Sequence, residues 1–225
     1  MTNETQGIRS QRQPLSHESR AAAERPLVLI VDDDERIRMA LQELMMSVSI
    51  DSACFASTHE LLDSALPDRP GCLILDVRMP GMSGLEMQHE LNLRGLTMPV
   101  IFITGHGDIP MAVEAMQHGA FDFLQKPFRD QELLDRVQRA LVRDTENRAR
   151  LRHTDRIRER LASLSPRERE VLDLVTQGKA NKMVAGDLGV SQRTVEIHRA
   201  HVMQKMEAGS LAELVRMMMA VAPPP

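Results

Sequence analysis

Five short apolar runs, each followed by a stretch with helical spacing, fill most of residues 27–141 and admit few folds. The runs are Leu27–Val31, Ile50–Phe55, Cys72–Asp76, Met98–Thr104 and Phe121–Leu124. They are short and rich in Val, Ile, Leu and Phe, the pattern of strands buried on both faces. Between them apolar residues recur at helical intervals. Ile37, Leu41, Leu44 and Met45 mark one helix, and Leu61, Leu62 and Ala65 mark another within Thr58–Leu66. Leu85–Leu93, Ile109–His118 and a stretch from Asp130 through Leu141 complete the set. Strictly alternating strands and helices predict an α/β fold: a doubly wound parallel sheet with helices on both faces.

In such sheets chemistry collects outside the carboxyl ends of the strands. Leu73, Ile74 and Leu75 run straight into Asp76, and a Pro80-Gly81 turn follows. On that segment alone Asp76 reads equally well as a strand-capping residue before a turn. Asp32 and Asp33 follow the first strand directly. A flavodoxin-like strand order makes the first and third strands neighbours, so three carboxylates converge at one edge. Like charges at that distance need a cation among them, and an all-oxygen set suits Mg²⁺. Asp34 and Glu35 read as exposed acids favoured by a helix N-terminus. Thr104 and Lys126 end the fourth and fifth strands. Singly they are an ordinary strand-end threonine and a surface lysine. At the same edge as the acids, they offer a hydroxyl and an ammonium to a phosphoryl group.

Beyond residue 146 the charge changes sign. Residues 27–146 hold ten Lys/Arg against twenty Asp/Glu, whereas residues 147–225 hold fourteen against nine. The second half is therefore suited to a polyanion. Ser165, Pro166 and Glu168 form a capping-box start, and short helical patterns follow over Pro166–Gly178 and Asn181–Leu188. Gly189-Val190-Ser191 is a tight turn into a longer helix, Gln192 to about Met206, and Ser210 caps a last amphipathic helix. Helix, turn and second helix match a helix-turn-helix, which places its second helix in the major groove, and taken alone the charged run reads as readily as a solvated helix face. Here that helix carries Gln192, Arg193, Thr194, Glu196, His198, Arg199 and Lys205. The domains expected are a polar, disordered tail (1–25), the α/β domain (26–145), a charged linker (146–162) and a small all-α domain (163–225). Residues 142–160 read either as an extended charged helix or as a flexible linker. The absence of Trp and Tyr argues against a nucleic-acid site built on aromatic stacking. No run approaches the ~18 apolar residues of a membrane span, and no apolar leader stands at the N-terminus. A cytoplasmic protein with reduced, buried Cys54 and Cys72 is expected, with no membrane partner.

Together, Val31-Asp32-Asp33, the segment Leu75 to Gly84, Phe102-Ile103-Thr104-Gly105 and Phe123 to Phe128 resemble a two-component receiver domain over residues 26–145. The resemblance implies a (βα)5 receiver in which Asp76 accepts a phosphoryl group from a sensor histidine kinase. It further implies Mg²⁺ held by Asp33, Asp76 and the Arg78 backbone carbonyl, with Asp32 acting mainly through water. Lys126 would pair with the phosphoryl oxygens and precede a cis peptide bond to Pro127. Thr104 and Phe123 would be the switch residues. The segments Leu164–Leu172, Asn181–Ala185 and Ser191–Arg199, with Lys205, resemble a LuxR-type helix-turn-helix. Over nearly its full length the chain is similar to response regulators of the FixJ/NarL family, and to FixJ in particular. That implies candidate DNA contacts at Lys182, Arg193, Thr194, His198, Arg199 and Lys205. It implies promoter DNA and RNA polymerase as partners, a homodimer when phosphorylated, and no catalysis beyond the receiver's own phosphorylation and dephosphorylation. A phosphatase using Asp76 is disfavoured, because a second acid two residues on is replaced by Arg78. The alternative is a constitutive DNA-binding regulator whose receiver fold serves only for protein contacts.

Overall fold

The computed structural model describes residues 25–65, 68–105 and 109–222. The chain divides into two units, with the boundary between Glu146 and Asn147. The expected N-terminal tail, apart from Arg25, lies outside the described residues, as do His106, Gly107 and Asp108.

In the first unit five strands pair in parallel in the order β2-β1-β3-β4-β5. They are β1 (Leu27–Val31), β2 (Asp51–Phe55), β3 (Gly71–Asp76), β4 (Val100–Thr104) and β5 (Asp122–Gln125). The helices that follow them are α1 (Glu35–Ser47), α2 (Thr58–Asp63), α3 (Gly84–Leu93), α4 (Ile109–Gln117) and α5 (Asp130–Ala162). The two-residue period of the strands splits the core into two layers. Leu29, Val31, Leu75 and Phe102 face Leu61 of α2, Met87 and Leu91 of α3 and Ala115 of α4. Val28, Ile30, Ile74, Ile101 and Ile103 face Leu41 and Met45 of α1 and Leu133 and Val137 of α5. Apart from Ala115, each such side chain contributes roughly 1.5–3 kcal/mol on burial. Strands β1, β3 and β4 are buried along their whole length, which is why they read as unbroken apolar runs.

The ends of two helices have physical causes. Helix α2 stops at Asp63, where the Ser64 hydroxyl and amide both donate to the Leu61 carbonyl; the expected end, Leu66, lies outside the described residues. Of the two readings left open for residues 142–160, the extended helix is the one observed, and α5 runs on past Leu141. It continues to Ala162 through a segment without Gly or Pro that is rich in Arg, Glu, Ala and Leu, all good helix formers. Both cysteines are free; Cys72 is buried as expected, whereas Cys54 is only half-buried.

The second unit contains α6 (Pro166–Thr176), α7 (Asn181–Leu188), α8 (Gln192–Lys205) and α9 (Leu211–Val221). Their core gathers Val171, Leu172, Val184, Val195, Val202 and Leu214 around Ile157 from the end of α5. The caps are those the sequence announces. Ser165 and Glu168 form the capping box of α6, and Ser191 and Ser210 cap α8 and α9. Gly189 turns the chain after α7 with φ of 65°, a left-handed conformation that glycine adopts without steric cost.

Candidate functional site

Strand register decides which side chains meet at the carboxyl edge of the sheet. Val31 of β1 is level with Leu75 of β3, so the next residues, Asp32 and Asp76, lie side by side. Thr104 ends β4 beside Gln125, and the Lys126 amide donates to the Thr104 carbonyl at 2.8 Å. Lys126 thereby hangs over the acids. Its Nζ donates to Asp32 Oδ2 at 2.7 Å and to Asp76 Oδ1 at 3.0 Å. The other Asp76 oxygen, Oδ2, accepts the Arg78 amide at 2.8 Å, and Asp32 Oδ1 accepts the Asp34 amide at 2.9 Å. Both acids are buried, with Asp32 1% and Asp76 6% exposed. The Lys126–Pro127 peptide bond is cis.

Burial pushes the Asp76 carboxyl above the ordinary range, with its hydrogen bond to Lys126 opposing. Burial alone would lower the Lys126 ammonium, but its bonds to Asp32 and Asp76 outweigh that and hold it raised. The ammonium thus stays protonated between two carboxylates that would otherwise repel each other.

The expectation of three converging carboxylates needs correction. Asp33 is exposed and stands outside the Asp32–Lys126–Asp76 cluster. Among the described residues no three His, Cys, Asp or Glu side chains make a ready metal cage. The cation that draws Asp32 and Asp76 together is Lys126 itself. The donor set nevertheless fits a hard divalent ion, because Mg²⁺ keeps several waters and takes only one or two carboxylates from a protein.

Thr104 is buried at the strand end, and Phe123, level with Phe102 on the neighbouring strand, packs half-buried against the core layer of α2 to α4. Gly84 brings α3 against the end of β3; a Cβ there would lie 2.4 Å from the Asp76 carbonyl oxygen. Two positioning residues escaped the sequence reading. Arg38 Nη1 donates to the Asp32 carbonyl at 2.7 Å, and Thr58 Oγ1 donates to the Met82 carbonyl at 3.4 Å, tying α2 to the loop after Asp76. Arg38 lies six positions after Asp32, in the first turn of α1, and its side chain reaches back past the start of the helix.

On the second unit, Lys182 and Arg193 are exposed on α7 and α8. Thr194 donates its amide to the Ser191 hydroxyl at 3.1 Å, so it helps cap α8. Arg199 Nη1 donates to Asn181 Oδ1 at 3.0 Å and fastens α8 to α7. His198 is half-buried, with Nδ1 enclosed and without a partner among the described residues. Lys205 is placed apart from the others. Its Nζ donates to buried Glu168 at 2.6 Å and to the Ser163 carbonyl at 3.4 Å, a commitment to the fold. Ile197, 49% exposed on α8, is an apolar group that the emphasis on charge passed over.

Comparison with known proteins covers both units. Residues 28–138 match the response regulator receiver domain, and residues 162–218 match the bacterial regulatory proteins of the luxR family. The chain is 50% identical over 196 residues to nodulation protein W of Bradyrhizobium diazoefficiens, covering 87% of this chain and 86% of that one. It is 48% identical over 190 residues to the transcriptional regulatory protein FixJ of Azorhizobium caulinodans, covering 84% and 90%. Among solved structures, the response regulator StyR superposes with a TM-score of 0.79 at 42% identity, covering 87% of this chain and 98% of that one.

Proposed function

The chain belongs to the two-component response regulators that join a receiver to a luxR-type DNA-binding domain and control transcription, and on that premise we propose that Asp76 is its phosphoacceptor. The observation that carries this is the Lys126 ammonium bridging Asp32 and Asp76 at the sheet edge. In the proposed step a carboxylate oxygen of Asp76 attacks the phosphorus of a sensor-kinase phosphohistidine. An O–P bond forms, the N–P bond breaks, and the imidazole leaves. Charge on the equatorial oxygens is greatest in the loose transition state, and Lys126 stabilises it from a fixed position.

Asp33, Asp76 and the Arg78 carbonyl, with Asp32 acting mainly through water, would hold Mg²⁺, which when bound would neutralise phosphoryl charge. The Thr104 hydroxyl then donates to a phosphoryl oxygen, and Phe123 moves further inward behind it. Such a local charge change biases a two-state surface. The readout is DNA binding by α8, with Arg193 and Lys182 reaching the duplex and the free N–H groups of Arg199 reaching phosphate. Thr194 acts mainly by setting the pose of α8 through its cap, and His198 stays among the candidate contacts. Lys205 is withdrawn from the contact set because Glu168 holds it.

The phosphorylated protein dimerises, binds promoter DNA and contacts RNA polymerase. Light scattering and promoter-fragment binding with and without acetyl phosphate test this. A rise in mass with tighter binding is expected. Equal affinity for the phosphorylated protein and for D76N refutes it, and favours a constitutive regulator.

A further inference from the structure

Helix α5 enters the second unit carrying more positive charge than its fold uses. Arg148, Arg152, Arg156 and Arg160 follow one another at four-residue intervals and form a ridge along the helix. Two of them are engaged: Arg148 has an interaction of its own, and Arg160 donates to the Met206 carbonyl at 3.1 Å and pairs with Glu207. Arg152 and Arg156 are exposed, and neither side chain makes a hydrogen bond or ion pair among the described residues. Like charges four residues apart on a helix repel and destabilise it. The acids of this stretch do not relieve them. Asp155 pairs with Arg158 at 3.0 Å, and Glu159 stands exposed beside Arg156.

The ridge is fixed to the helix that reads DNA, at the end opposite Arg193. Ile157 is buried in the core, and the bond from Arg160 to Met206 fastens α5 to the C-terminal end of α8. At about 1.5 Å rise per residue, Arg156 and Arg152 extend the basic surface by about 6 and 12 Å along the axis from Arg160. Duplex DNA carries a charge about every 1.7 Å along its axis, so an anion is available at any such offset. The planar guanidinium also matches phosphate in geometry.

We propose that Arg152 and Arg156 bind the phosphate backbone of the duplex that α8 reads, making the end of the linker helix a second DNA contact. This rests on reading the second unit as a DNA-binding domain. The test is the salt dependence of binding of the full chain, treated with acetyl phosphate, to a random-sequence duplex. Wild type, R152Q/R156Q, R152K/R156K and R150Q are compared. Gln keeps helix propensity, and circular dichroism checks it.

At about 0.9 per phosphate contact, the double Gln variant lowers the slope of log K against log salt by about 1.8. The double Lys variant restores it. Arg150 lies two residues, about 200° of helix, from Arg152 and serves as the control for bulk charge. Its Gln variant leaves the slope nearly unchanged. An unchanged slope in R152Q/R156Q overturns the proposal, as does a fall in R150Q as large per residue. A wild type with no salt-dependent DNA binding overturns the DNA-binding reading as well.

Discussion

Replacing Glu168 by Gln tests how the second unit is held together. Its carboxylate is buried, accepts the Ser165 amide at 2.8 Å in the capping box, and accepts the Lys205 ammonium at 2.6 Å. The bond from Lys205, then the Ser165 amide, bring its pKa down to about 2 from an ordinary 4.5. Taken whole, that shift is worth about 3 kcal/mol at neutral pH. The Lys205 side chain is 40% exposed, so part of the attraction is screened and about 2 kcal/mol is a fairer figure. Gln keeps the size and one acceptor but not the charge. The folded pKa is depressed, so the stabilisation is complete above 4.5 and fades as pH falls from there toward about 2. Hydrogen exchange of α6 and α8 amides in the full chain reads this directly. At pH 7 the variant should exchange about 30-fold faster, the equivalent of about 2 kcal/mol. The gap to wild type should narrow through acid pH and nearly close at pH 2. A gap of equal size at neutral pH and pH 2 would refute the reasoning, because it would trace the loss to packing instead of charge.

Two further substitutions probe the receiver edge. Lys126→Met leaves the buried Asp32 and Asp76 carboxylates facing each other without their cation. Breaking such a pair costs about 3–5 kcal/mol when fully buried, and Lys126 is one-fifth exposed, so a loss of about 2–3 kcal/mol in urea unfolding at pH 7 is expected. Gly84→Ala places a methyl 2.4 Å from the Asp76 carbonyl oxygen and 3.0 Å from the Phe102 ring. Overpacking of this kind costs about 1–3 kcal/mol. A lower urea midpoint together with slower labelling by acetyl phosphate is expected, and wild-type behaviour in both would show that the loop yields without cost.

Much of this architecture was legible before any coordinates. Burial on both faces leaves an unbroken apolar strand, and short capping patterns are local, so β1, β3, β4 and the Ser165–Glu168 box could be read from the chain. Asp32, Asp76, Thr104 and Lys126 were legible because each ends or directly follows a strand, and parallel pairing puts those ends at one edge. What was not legible depends on contacts between distant residues. Nothing local says that Lys126 already neutralises Asp32 and Asp76, which leaves Asp33 outside the cluster. Thirty-seven residues separate Glu168 from Lys205, so a lysine at the end of a recognition helix reads as a DNA contact until its partner is seen. The stop of α5 was hidden for another reason: propensity carries the helix past the receiver, and its capture by the next core depends on Ile157.

The central claim is that Asp76 receives the phosphoryl group. Phosphate-affinity electrophoresis of wild type and D76N after incubation with acetyl phosphate and Mg²⁺ tests it most directly. A retarded wild-type band that hydroxylamine abolishes, with no retarded band for D76N, is the predicted result. Retardation of D76N to the same extent would contradict it.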